Sequence, residues 1–103
     1  MNYRNLRLGG LIQEELGKIF ARDMEFPAFV TIVDVEVSKK LDTAKVRVSV
    51  IPEVKAKEVY DLLQNERRLL QFKLLRTLNI KPMPRLEFGL IRGEEAMVEK
   101  EEK

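Results

Sequence analysis

The chain has no cysteine, no histidine and no tryptophan, and only 4 prolines and 5 glycines in 103 residues. Without cysteine there is no disulfide, no thiolate metal site and no cysteine nucleophile, a composition that fits a reducing cytosol. Without histidine the commonest general base and the commonest metal ligand go together. No apolar run approaches the roughly 18 residues of a membrane span. The opening MNYRNLR leads into an amphipathic pattern rather than the apolar core of a signal peptide. Adjacent carboxylates at Glu14-Glu15 and Glu94-Glu95 do not converge on one point of a helix, and no P-loop, glycine-rich phosphate loop or nucleophile elbow accompanies them. These absences predict a cytoplasmic protein that is not an enzyme, with no metal, cofactor, membrane or small-molecule substrate.

Net charge is +2, but it is unevenly spread. Residues 94–103 hold five Glu and two Lys, so the remainder carries net +5. From Arg67 to Arg92 there are seven basic residues and one acidic one. Localised positive charge of this kind is the electrostatic footprint of a nucleic-acid partner. The length suits one small domain, expected over 1–93, with an acidic, disordered tail at 94–103.

Leu8, Leu11, Ile12, Leu16, Ile19 and Phe20 recur at helical spacing and predict a first helix from about Arg4 to Asp23. Gly9-Gly10 weakens its first turns, or allows close packing there. Two alternating strands follow. Phe29, Thr31, Val33, Val35 and Val37 form the expected core face of the first, and Ala44, Val46, Val48 and Val50 that of the second. Residues 39–43 form a hairpin turn. Pro52 opens a second helix whose apolar stripe is Ala56, Val59, Tyr60, Leu63, Leu70, Leu74 and Leu78. Arg67 falls inside that stripe, which predicts a break or kink between Asn65 and Arg68. Beyond the break Leu69, Leu70, Phe72, Leu74, Leu75 and Leu78 surround the axis, so that half is expected to be largely buried. After Lys81-Pro82-Met83-Pro84, the alternation of Leu86, Phe88 and Leu90 predicts a third strand. The class is α+β, with helices layered on one face of a three-stranded sheet.

The run FVTIVDVEVSKKLDTAKVRVSV, from Phe29 to Val50, resembles the core signature of the ribosome-binding factor A family: V-E-V-S, a turn, then A-K-V-x-V-S. Arg7 with LGGLIQEEL resembles that family's first helix, and Leu78 with NIKPMPRLEF its L-R-x-x-P-E-L-x-F ending, with Pro84, Leu86 and Phe88 on matching positions. The resemblance implies a type II KH-like fold of order α-β-β-α-α-β, with a kink in the long helix. It also implies binding to the small ribosomal subunit and its rRNA, and help with late rRNA maturation, notably in the cold. Members carry Ala-x-Gly at the helix interruption, whereas Glu66, Arg67 and Arg68 stand there in this chain. A monomer is expected.

Arg67, Arg68, Lys73, Arg76, Lys81 and Arg85 are the main candidates for phosphate contacts, because arginine offers a planar fork and lysine a mobile point charge. Lys39 and Lys40 at the hairpin turn, and Arg4 and Arg7 at the start of the first helix, are further candidates. Lys45 and Arg47 point away from the core and could meet phosphate, or could pair across the strands with Asp34 and Glu36. Phe20, Phe29, Phe72 and Phe88 fall on expected core positions, leaving Tyr3 and Phe26 as the exposed rings. Recognition is therefore expected to rest on shape and phosphate. The competing reading is a protein-interaction module docking through the hairpin edge, whose binding would be insensitive to salt.

Overall fold

The computed structural model describes residues 3–91. The acidic tail expected at 94–103 lies outside them. Helix α1 (Tyr3–Asp23) buries Leu8, Ile12, Leu16, Ile19 and Phe20, the expected stripe less Leu11, which is exposed. Strands β1 (Phe29–Val37) and β2 (Thr43–Ile51) pair antiparallel. The turn between them is drawn together by Ser38, whose hydroxyl accepts from the amides of Asp42 and Thr43 at 3.1 Å and donates to the Asp42 carboxylate at 2.5 Å. A single 3-10 turn after Pro52 leads into helix α2 (Ala56–Leu78). Asn79 stops α2 in the left-handed region, φ 52°, its amide returning to the Leu75 carbonyl. Strand β3 (Arg85–Leu90) then lies parallel to β2, giving the order β1-β2-β3. A parallel neighbour needs a crossover, and α2 is that crossover.

Both helices pack on the sheet face built from Ala44, Val46, Val48, Val50, Leu86 and Phe88. The α+β class and the KH-like order of elements hold, but three details differ from the sequence reading. First, the register of β1 against β2 shifts between Ile32 and Asp34, a bulge that places one extra residue in β1. Before it, Val30 and Ile32 oppose Val50 and Val48; after it, Val35 and Val37 oppose Val46 and Ala44. Strict alternation had put Phe29 and Thr31 in the core. They are exposed instead, Phe29 to 80%.

Second, α2 runs unbroken from Ala56 to Leu78, so no break in the helix falls between Asn65 and Arg68. Val59, Leu63, Leu70 and Leu74 are buried, and the position between Leu63 and Leu70 is filled by the stems of Glu66 and Arg67, both half-buried. A long charged side chain can cover core with its methylenes while its head reaches water, so the stripe needs no break. Third, Leu69 and Phe72 are exposed and only one side of the distal half is buried. Phe26, expected to be exposed, packs on the core and meets Phe20 edge-to-face at 5.1 Å.

A β-carbon added at Gly9 would lie 2.7 Å from the backbone oxygen of Val35, whereas one added at Gly10 meets nothing within 4 Å. Gly9 is there for close approach, and Gly10 is not. Gly9→Ala should destabilise the protein by about 1–2 kcal/mol in spite of alanine's better helix propensity, while Gly10→Ala should stabilise it by up to about 1 kcal/mol. Denaturant unfolding of the two variants checks the opposite signs.

Candidate nucleic-acid interface

The start of α1, the hairpin turn and the α2–β3 connection meet at one end of the domain. The Asn5 amide donates to the carbonyls of Val37, at 3.2 Å, and Ser38, which seats the first turn of α1 against the end of β1. The Arg85 amide donates to the Asp42 carbonyl at 2.9 Å, which ties β3 to the turn. Between these parts Arg4, Arg7, Leu8, Leu11, Leu41, Ile80, Lys81 and Pro82 line a cleft of about 260 Å³.

Six of the candidate cations therefore share this end: Arg4, Arg7, Lys39, Lys40, Lys81 and Arg85. All are exposed. Arg7 lies 5.8 Å from the Tyr3 ring centroid and, like Lys39, Lys40, Lys81 and Arg85, forms no ion pair among the described residues. The carboxylate of the turn, Asp42, is held below the usual carboxylate range chiefly by the Ser38 hydroxyl. The far end, around residues 52–61, is different. There Glu53, Glu58 and Asp61 stand with Lys55 and Lys57, and the lysines pair with Glu58 at 3.6 Å and Asp61 at 3.0 Å.

The remaining candidates are dispersed. Arg68 is exposed on α2 and Arg67 half-buried on its core side. Lys73 donates to Asp23 at 2.9 Å, joining α2 to the end of α1. The Arg76 guanidinium lies 5.7 Å from the Phe72 ring centroid. Lys45 is exposed on the open sheet face, in register with Glu36 and Glu87, its stem reaching toward Gly89.

Arg47 is a correction to the candidate set. Only 8% of it is exposed, and its Nε and an Nη bond both oxygens of Asp34 at 2.8 and 2.9 Å, with Glu36 at 3.9 Å. The bulge in β1 aligns Asp34 with Arg47, so the cross-strand pairing wins over phosphate contact. Reading the sequence also missed the exposure of Phe29 and Phe72, since periodicity cannot see a bulge or tell which side of a long helix has no neighbour. Gln13 and Gln71, unremarkable as letters, turn out to bond the backbones of β1 and β3.

Helix, hairpin, long helix and a third strand parallel to the second define an α+β domain of type II KH-like order, here with a basic end. The profile of ribosome-binding factor A matches residues 4–101, and the chain belongs to that family. It is 33% identical over 91 residues to ribosome-binding factor A of Akkermansia muciniphila, covering 87% of this chain and 73% of that protein. In structure it resembles crystalline ribosome-binding factor A from Thermus thermophilus, with a TM-score of 0.71 at 24% identity over 84% of this chain and 94% of that one. It also resembles a homology model of the Thermus thermophilus factor fitted into a cryo-EM map of a 30S complex, at TM-score 0.61 and 26% identity, covering 87% and 93% of the two chains.

Two stability predictions follow from the ion pairs. Asp34→Ala should cost about 2 kcal/mol, because it removes the two-point partner of a buried guanidinium and leaves the longer contact to Glu36; Arg47→Met should cost less, and urea titrations of both variants compare them. Asp23 is held below the usual carboxylate range by hydrogen bonds from Lys73 and then Arg22. Its folded pKa is below its unfolded one, so its contribution is present above the unfolded value of about 3.9 and is lost as pH falls through the folded value. Asp23→Asn should therefore flatten the acid limb of a melting-temperature profile below about pH 5.

Proposed function

We propose that the protein is a ribosome assembly factor that binds the small ribosomal subunit through its rRNA and assists late rRNA processing and maturation, including growth in the cold. It acts in the cytoplasm as a monomer and uses no small-molecule cofactor. The observation that carries the reading is the gathering of Arg4, Arg7, Lys39, Lys40, Lys81 and Arg85 at one end of a KH-like domain. A phosphate backbone satisfies such a cluster and releases counterions as it does so. The fit of a relative into a 30S map supports the same partner. Lys45, Arg67, Arg68, Lys73 and Arg76 remain secondary contacts in this reading. Of these Lys73 must exchange Asp23 for phosphate.

The rival reading, docking of a protein through the hairpin edge, is disfavoured by the cover on β1. The carbonyls of Ile32 and Val37 accept side-chain amides from α1, and that of Val35 faces Gly9. An added strand would have to displace these contacts.

On a density gradient at low salt the protein should sediment with small-subunit particles; remaining at the top would sink the ribosomal reading. If about four to six phosphates are neutralised, log K against log salt should slope by roughly −3 to −5. Changing Arg7 and Lys81 together to Gln should reduce that slope by about 1–2 and leave the melting temperature unchanged.

A further inference from the structure

The outer face of α2 presents an aromatic ring ringed by positive charge. Phe72 is 52% exposed and Leu69 beside it is also exposed. With Arg22, Asp23, Lys73, Arg76 and Thr77 they line a cleft of about 430 Å³ between α2 and the end of α1. Arg76 reaches the Phe72 ring at 5.7 Å from its centroid. Arg68, one turn before Phe72 on the same side, is exposed and forms no ion pair among the described residues. Among the residues lining the cleft the carboxylate is Asp23, which Lys73 at 2.9 Å and Arg22 at 3.2 Å already neutralise. The cleft is thus positive around an apolar floor.

That combination selects among occupants. An apolar helix would cover Leu69 and Phe72 but would desolvate Arg68 and Arg76 without a counter-charge. A single strand of RNA brings a flat base for the ring and phosphates for the guanidiniums in every nucleotide. We propose that Phe72 is a stacking platform for an unpaired RNA base, with Arg76 and Arg68 holding the adjacent phosphates. The assignment rests on the RNA-binding reading above and adds to it a contact made to a base rather than to the backbone. Stacking on an aromatic ring is tolerant of sequence, so this cleft contributes affinity for unpaired segments without choosing among bases.

Fluorescence anisotropy separates the two levels, using three probes: small-subunit rRNA, a short labelled oligoadenylate, and an abasic oligomer of the same length. Phe72→Leu keeps an apolar side chain on an exposed site and removes the π face. It should melt as the parent does, lose about ten-fold in affinity for oligoadenylate, and bind the abasic oligomer unchanged. Phe72→Trp should bind oligoadenylate at least as tightly as the parent. Arg76→Gln should weaken both oligomers alike. If the parent binds the rRNA, but either does not bind oligoadenylate or binds it no better than Phe72→Leu does, the stacking platform is overturned and the ribosomal reading survives. If the parent binds none of the three probes, both fall together.

Discussion

The close approach of α1 to β1 is the constraint on which the rest of the structure depends. Asn5, Gly9 and Gln13 occur every fourth residue and so form one row along α1. That row lies against the outer edge of β1: Asn5 donates to Val37 and Ser38, Gly9 gives way to the Val35 carbonyl, and Gln13 donates to Ile32 at 3.4 Å. Only a residue without a β-carbon fits at the centre of the row. With the backbones in contact there, Leu8, Ile12, Leu16 and Ile19 reach the core from the same helix and the start of α1 is held at the hairpin turn. The position of Arg4 and Arg7 beside Lys81 is a consequence of this packing.

The opposite edge of the sheet is closed by similar chemistry from the other helix. Gln71 donates to the Pro84 carbonyl at 2.5 Å and accepts from the Leu86 amide at 2.8 Å, acting as a short length of strand beside β3. Both edges of the sheet thus end on side-chain amides held by helices, which guards against edge-to-edge pairing. What remains for partners is the basic end, the outer face of α2 and the open face of the sheet. On that open face the Asp34–Arg47–Glu36 ion pairs cancel much of the charge, and Phe29 and Ile51 sit opposite each other at its far margin. The two regions in which positive charge is left over are the two to which the main proposed RNA contacts belong.

Much of this was legible in the letters. Apolar spacing located α1 and the three strands to within a residue or two, because a half-buried helix and a one-faced sheet both write their burial as a period, whereas α2 begins at Ala56, four residues after Pro52, and runs on through the expected break. The basic character of the α2–β3 stretch was equally plain. Convergence was not, since Arg4, Arg7 and Lys81 come to line one cleft only through the sheet order and the seating of α1. The fate of Arg47 cannot be read from alternation, because it turns on which residue of β1 stands opposite. One inserted residue near Val33 decides it, and a bulge has no periodic signature. A break at Arg67 is needed only if charge is incompatible with a core stripe, and a half-buried arginine reconciles the two.

The unbroken α2 changes how the proposed RNA-facing surface would be built. An interruption would present phosphate-binding backbone amides at a loop, as an Ala-x-Gly sequence could. With Glu66, Arg67 and Arg68 in those positions the helix continues, its amides stay in the i to i−4 ladder, and none is available there to an anion. The anion contacts must then come from side chains, and a helix spaces side chains on one face by three or four residues. Arg68, Phe72 and Arg76 follow that spacing on the solvent side, opposite Leu63, Leu70 and Leu74 in the core. The same continuity that denies this chain a loop for phosphate gives it a row of cation, ring and cation on a continuous helix. Core packing on its other side fixes the backbone of such a row, so the ordering cost of binding falls on the side chains alone.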